Sequence, residues 1–156
     1  MSKIVANMFI KASIVYLLIG CVWGAIMTLP PVHEFVEEGG PAGIIGGMHA
    51  HWNLLGWVSL AVMGGIYYLV PVVVGKDLYS ERLARIHFWI FNIAIVVGTI
   101  LALIAGYLGG TLYLAEEFAA IEPTIGPYMM MVVIISWIEA AVNFLFAYVI
   151  YKTIRR

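Results

Sequence analysis

Four long runs of apolar residues, separated by short polar segments, dominate the sequence. The runs cover residues 8–29, 48–74, 85–111 and 125–151. A helix that crosses the hydrocarbon core of a bilayer needs about 20 consecutive, mostly apolar residues. Within the runs, apolar and polar residues do not alternate as they do in the strands of a membrane β-barrel. The pattern predicts an all-α membrane protein, with one four-helix transmembrane domain over residues 1–156.

The composition agrees with a chain whose surface faces lipid. Of the 156 residues, 63% are hydrophobic and 11% are charged, whereas a soluble domain carries about 25% charged residues. The first run has no A-x-A cleavage pattern and is longer than a signal-peptide core, so we expect it to remain as a membrane span. No basic patch indicates nucleic-acid binding.

The charged residues between the runs predict the orientation of the chain. All lysines and arginines fall on one side of a four-span arrangement, whereas the charged residues of the other two loops are all glutamates. Loops rich in lysine and arginine stay in the cytoplasm. We therefore expect both termini on the cytoplasmic side of a multi-pass protein of the inner (cytoplasmic) membrane. The basic residues are Lys3, Lys11, Lys76, Arg82, Arg85, Lys152, Arg155 and Arg156.

The first loop on the acidic side has the pattern of a short helix. Pro30 and Pro31 are typical of the first turn of a helix, and Gly39 and Gly40 are typical of its end. We expect residues 32–38 to lie along the membrane interface.

Two glycine pairs, spaced four residues apart, are suited to close helix contact. Gly20 and Gly24 lie in the first run, and Gly106 and Gly110 lie in the third. Small residues at this spacing let two helix backbones approach closely. The pattern is compatible with packing inside one bundle and with contact between protomers.

His49 and His51 open the second run, at the end of the membrane away from the basic residues. On an α-helix each residue advances 100°, so side chains at i and i+2 point about 200° apart. The two imidazoles therefore cannot bind one ion together, but each can serve a different site on one flank of the helix. Axial ligation of heme iron is one interpretation. Hydrogen bonding to loops and interfacial water is the other.

The other histidines are expected to have ordinary roles. His33 lies in a polar loop and should be solvated. His87 should lie at the opposite membrane interface, beside Phe88 and Trp89. The second run is about 30 Å long from His51 onward, so His87 is too distant to share a metal with His51 of the same chain.

Glu139 lies near the middle of the fourth run, where a carboxylate is costly in lipid. It is either the acid of a proton or quinone site, or a neutral acid hydrogen-bonded to another polar group such as Asn92 or Asn143. Trp52 and Trp57 are candidates for packing on a heme, although tryptophans near span ends also anchor membrane helices.

The segment MHAHWNLLGWVSLAVMGGIYYLVP, residues 48–71, resembles the heme-ligand helices of the heme-copper oxidase superfamily. The resemblance is strongest to cbb-type oxidases and nitric oxide reductases, and it includes Gly56-Trp57 and the Tyr-Tyr-Leu-Val-Pro ending. Residues 85–92, RIHFWIFN, resemble the opening of the next helix in that family. The similarity extends over the first three spans.

This resemblance implies specific roles for the two histidines. In the family, the histidines of an H-x-H helix bind different hemes, one low-spin and the other high-spin. His49 and His51 are accordingly expected to be axial ligands of heme b, with Trp52 and Trp57 beside it. Family catalytic subunits contain three four-helix units around a pseudo-threefold axis, whereas these 156 residues correspond to one unit. The histidines that bind copper or non-heme iron in the family have no counterpart in this sequence.

A homotrimer would restore the threefold arrangement. Each second span would offer His49 to one neighbour and His51 to the other, with a bis-histidine heme b at every interface. The function that follows is a membrane b-type cytochrome that transfers electrons, with quinol as a candidate donor. The alternatives are a minimal reductase of oxygen or nitric oxide with an open heme position, and a non-catalytic heme carrier or accessory subunit of a respiratory complex.

Overall fold

The computed structural model describes residues 2–156, and every regular element in that range is helical. Four segments are long and apolar enough to cross a bilayer, and they are called the first to fourth spans: Lys3–Met27, Gly40–Val74, Glu81–Leu114 and Phe118–Arg155. The predicted all-α, four-span architecture is confirmed. The helices are α1 (Ser2–Met27), α2 (Pro30–Glu38), α3 (Gly43–His51), α4 (Leu60–Val74), α5 (Glu81–Leu114) and α6 (Phe118–Arg155). A 3₁₀ turn (Gly40–Ala42) precedes α3, and a π-helical segment (Trp52–Ser59) joins α3 to α4.

All four spans begin earlier than predicted. The second span begins at Gly40 rather than near residue 48, because its glycine-rich start packs closely on α5, where Ile45 lies against Gly106. The fourth begins at Phe118 rather than near residue 125 and continues through Pro123 and Pro127. Membrane helices tolerate proline because neighbouring groups satisfy the backbone carbonyls that it leaves free.

The short helix predicted between the first and second spans is present as α2. It begins at Pro30, and the N–H of Gly39 donates to the carbonyl of Phe35 at 3.0 Å where the helix ends. Gly40 then adopts a φ of +54°, a left-handed conformation that glycine enters without steric cost. This change of direction leads the chain into the second span.

The glycine pairs of the first and third spans pack against the second span of the same chain. A methyl group on Gly20 would lie 2.7 Å from Asn53, and one on Gly24 would lie 2.7 Å from His49. On α5, Gly110 lies equally close to Ala42. The structure thus supports packing within one bundle, the first of the two interpretations.

The bundle has an acidic end and a basic end. The acidic end contains α2 and the turn between α5 and α6, and the basic end contains the α4–α5 connection and the C-terminus. Large aromatic side chains fill the basic half, whereas the histidine pair lies in the acidic half. Which end faces the cytoplasm stays a prediction. The buried aromatic residues of the basic half are Phe9, Tyr67, Phe88 and Phe91.

Candidate functional site on the two flanks of the second span

His49 and His51 lie in the last turn of α3, directly before the change to π-helical winding at Trp52. The Ser59 hydroxyl donates to the carbonyl of Leu54, five residues earlier, at 2.7 Å. π-Helical turns are rare, and they occur frequently at functional sites. The pattern of the sequence did not predict this π-helical segment.

The His49 side chain faces α1. A methyl group on Gly24 would lie only 2.7 Å from His49 Cε1, so the imidazole occupies space that only glycine leaves open. Its Nδ1 is buried and has no hydrogen-bond partner among the described residues. The amide nitrogen of Asn53 donates to the His49 carbonyl oxygen at 2.9 Å and lies 3.4 Å from the ring Nε2. The flank of the second span that carries His49 is therefore a close-packed, uncharged environment.

The His51 side chain faces α6 on the other flank. Its Nε2 lies 3.8 Å from Oε1 of Glu139, and the two side chains are 24% and 10% exposed. Both atoms are buried, and neither has a hydrogen-bond partner in the described part of the chain. The structure thus brings an imidazole and a carboxylate together inside the membrane-spanning bundle.

Neither Asn92 nor Asn143, the two examples considered as hydrogen-bond partners of Glu139, bonds to it. The Asn92 side chain donates to the carbonyl of Phe88 at 2.7 Å, and Oδ1 of Asn143 is buried without a partner among residues 3–156. Glu139 is 7% exposed, and the polar group that faces it is His51. Sequence reasoning missed this pair because hydropathy does not reveal which faces of two non-consecutive spans meet.

The two tryptophans after the histidine pair have different surroundings. Trp52 is buried and stacks on Tyr16 of α1, with ring centroids 5.3 Å apart and an interplanar angle of 29°. Trp57 is 39% exposed on the outside of the bundle. In a single chain, only Trp52 contributes to the interior.

His87 was expected at the membrane interface, and the structure buries it in the core of the helix bundle. It is 0% exposed, and its Nδ1 lies 3.0 Å from the Tyr67 hydroxyl in a hydrogen bond. The rings of Phe9, Phe91 and Phe146 surround it at centroid distances of 5.2, 5.6 and 5.6 Å. Because α5 begins at Glu81, His87 lies almost two turns inside the helix rather than at its start.

Each flank of the second span offers one imidazole with a buried ring nitrogen that has no partner among the described residues. The nitrogens point in opposite directions, towards the first span and towards the fourth. One chain therefore cannot bring both imidazoles to the same metal ion. A centre with two axial imidazoles from these positions needs a second chain.

Comparison with known proteins identifies the family. The profile of the family described as "Cytochrome C and Quinol oxidase polypeptide I" matches residues 3–138, which is most of the chain. A cytochrome c oxidase subunit 1 homolog of Agrobacterium tumefaciens is 34% identical over 92 residues, covering 53% of this chain and 17% of that protein.

Two further relatives match shorter segments. The Cbb3-type cytochrome c oxidase subunit CcoN1 of Stutzerimonas stutzeri is 36% identical over 63 residues, covering 40% of this chain and 12% of its own length. The heme-copper oxidase subunit I+III of Aeropyrum pernix is 48% identical over 40 residues, covering 26% of this chain and 5% of its own length. This chain thus matches less than a fifth of each relative. With four membrane-spanning segments and a family match over residues 3–138, the chain belongs to the cytochrome c and quinol oxidase polypeptide I family, as a heme-copper oxidase subunit I-like, multi-pass membrane protein.

Proposed function

We propose that this protein is a membrane b-type cytochrome in which His49 and His51 supply axial ligands to heme b. The observation that carries this proposal is the arrangement of the two imidazoles. They lie on opposite flanks of one span, and each has a buried ring nitrogen without a hydrogen-bond partner among the described residues.

The ring nitrogens on these flanks are chemically suited to heme iron, and each imidazole would have to turn from the neighbouring helix of its own chain to reach a heme between chains. Ionisable side chains within membrane spans are expensive, and they generally mark functional sites. A buried polar atom without a partner costs roughly 1–3 kcal/mol, a cost that bonding to iron would remove. Imidazole is a common axial ligand of heme iron. Trp52 and Trp57 are proposed to lie beside the group.

The opposite directions of the two imidazoles make the heme site a property of an assembly. We propose that the protein forms a homo-oligomer, specifically a trimer, in which His49 of one chain and His51 of a neighbour bind the same heme. This extends the three-unit arrangement of the family to three copies of one chain. The proposed location is the inner membrane, with the basic end in the cytoplasm.

Electron transfer is the proposed activity. A heme iron with two imidazole ligands has no free coordination position, which favours transfer of single electrons over binding of oxygen or nitric oxide. His49 and His51 would hold the iron, and the surrounding apolar side chains would exclude water from it. Quinol is the proposed electron donor, and the buried carboxylate of Glu139 is the proposed acidic group of a proton or quinone site.

A reduced-minus-oxidised visible spectrum of the detergent-purified protein tests the heme proposal. Sharp low-spin b-type bands that do not change with carbon monoxide are expected. Carbon monoxide binding would instead indicate an open iron position and the minimal-reductase alternative. A protein that stays colourless after hemin is added would refute heme binding. Co-purification with a stable partner chain would favour an accessory subunit.

A further inference from the structure

A groove runs along the outside of α5 from the basic end of the bundle towards its middle. Its first part is a cavity of about 610 Å³, lined by Arg82, Arg85, Trp89 and other residues of the first turns of α5. Its second part is a cavity of about 210 Å³ between α5 and α6, lined entirely by aliphatic side chains such as Ile93 and Ile138. Ile90 lines both parts, so the two cavities adjoin at this side chain, and together they are called the α5 groove.

The basic-end part of the α5 groove has a positive charge. Arg85 is half exposed and lies 3.6 Å from the carboxylate of Glu81, which partly neutralises it. Arg82 is exposed and forms no ion pair with the described residues. Two arginines and one glutamate leave a net charge of +1, which complements the single negative charge of a phosphodiester. Guanidinium groups bind phosphate in a bidentate geometry.

The rest of the α5 groove is suited to a hydrocarbon chain. Ile93 is 59% exposed and Val97 is 39% exposed, so both present apolar surface outside the bundle. Trp89, also 59% exposed, lies between the arginines and this apolar part. Tryptophan at such a boundary is typical of the level of the lipid head groups.

The length of the α5 groove matches one leaflet of a bilayer. From Arg85 to Val97, the helix rises about 18 Å at 1.5 Å per residue. One leaflet contributes about half of the 30 Å hydrocarbon core. A phosphate held by the arginines would therefore have its acyl chain alongside the isoleucines of the same groove.

We propose that the α5 groove binds one anionic phospholipid, with its phosphate on Arg82 and Arg85 and an acyl chain along Ile90, Ile93 and Ile138. A soluble phosphate would use only the charged part, whereas a phospholipid uses both parts. The proposal depends on neither heme binding nor the orientation of the chain in the membrane.

Quenching of Trp89 fluorescence by brominated lipids tests this site directly. The purified protein is reconstituted in phosphatidylcholine vesicles that contain either brominated phosphatidylglycerol or brominated phosphatidylcholine. The difference between the wild type and Trp89→Phe isolates the signal of Trp89. We expect stronger quenching by phosphatidylglycerol, and a preference that weakens at high salt.

The arginine variants determine where this preference arises. Arg82→Gln and Arg85→Gln should each reduce it about fivefold, the contribution of one basic residue near an anionic lipid. The control is the double variant Lys152→Gln/Arg155→Gln, which removes two positive charges at the same end of the bundle but on α6. This variant should retain the preference for phosphatidylglycerol.

Ile93→Asn tests the apolar part and should reduce quenching of Trp89 by both brominated lipids. Equal quenching by the two lipids in the wild type, or an equal loss in the α6 control, would refute the site. A different result would show that the groove is a contact between copies of the chain. In that case neither brominated lipid would quench Trp89, and the arginine variants would form a smaller oligomer than the wild type.

Discussion

The two flanks of the second span place the same side chain in two different environments. On one flank, His49 lies between Gly24 of α1 and the neutral amide of Asn53. On the other flank, His51 faces the carboxylate of Glu139 across 3.8 Å. The first imidazole is close-packed against a helix backbone and the second faces an ionisable carboxyl group, so substitutions around them should act through different physical effects.

Removal of either imidazole should have the largest effect. If each heme takes His49 from one chain and His51 from another, His49→Ala and His51→Ala should each abolish the bis-histidine b-type spectrum. His33→Ala, at an exposed position of α2, is the matched control and should bind heme normally. A trimer of His51→Ala that retains intact hemes would contradict this ligation scheme.

Filling the space beside His49 should destabilise the protein. In Gly24→Ala, the new methyl group would lie 2.7 Å from His49 Cε1. Overpacking of this kind costs about 1–3 kcal/mol, measurable as a lower free energy of unfolding in a detergent titration. Gly47→Ala is the control, because no atom lies within 4 Å of its added methyl group. Alanine there should be neutral or stabilising, since glycine in a helix costs about 1 kcal/mol relative to alanine.

Changing the charge beside His51 should shift the midpoint potential of a bound heme. Where Glu139 is ionised, its negative charge favours the ferric state, so Glu139→Gln should raise the potential, on the order of 60 mV for a tenfold change in a one-electron equilibrium. Redox titration measures the shift. Glu122→Gln removes an exposed carboxylate from the same helix and should leave the potential unchanged. Equal potentials for Glu139→Gln and the wild type would show that the charged flank does not influence the iron.

The smallest effects should separate the two tryptophans. Trp52→Phe weakens the stacking on Tyr16 and should cost about 0.5–1.5 kcal/mol, the range for aromatic pairs. In the heme-free monomer, Trp57→Phe changes an exposed position and should alter the free energy of unfolding by less than about 0.5 kcal/mol. A larger loss for Trp57→Phe than for Trp52→Phe would indicate that Trp57 is buried in the assembled protein.

Local properties of the sequence predicted much of the fold. Hydropathy located all four spans, and the proline and glycine pairs located α2. The i, i+2 spacing of His49 and His51 predicted side chains on opposite flanks, which is how the structure places them. These predictions succeeded because each depends on residues that are close together in the chain.

Predictions that depended on tertiary neighbours were less successful. His87 was expected at the interface but is fully buried, because α5 begins earlier than its apolar run and four spans converge around Tyr67. Asn92 and Asn143 were considered as possible hydrogen-bond partners of Glu139, whereas the structure places His51 beside it. The π-helical segment had no recognisable signal in the sequence.

The sequence by itself determined how many helices cross the membrane, because only long apolar segments are stable in lipid. It also determined which side chains share a helix face, because the α-helix has a fixed number of residues per turn. Only the tertiary structure decided what each face meets. The rotation and tilt of a span depend on close packing with residues distant in the chain, such as Gly24 against His49 and Glu139 against His51. That packing gives two chemically similar histidines different neighbours.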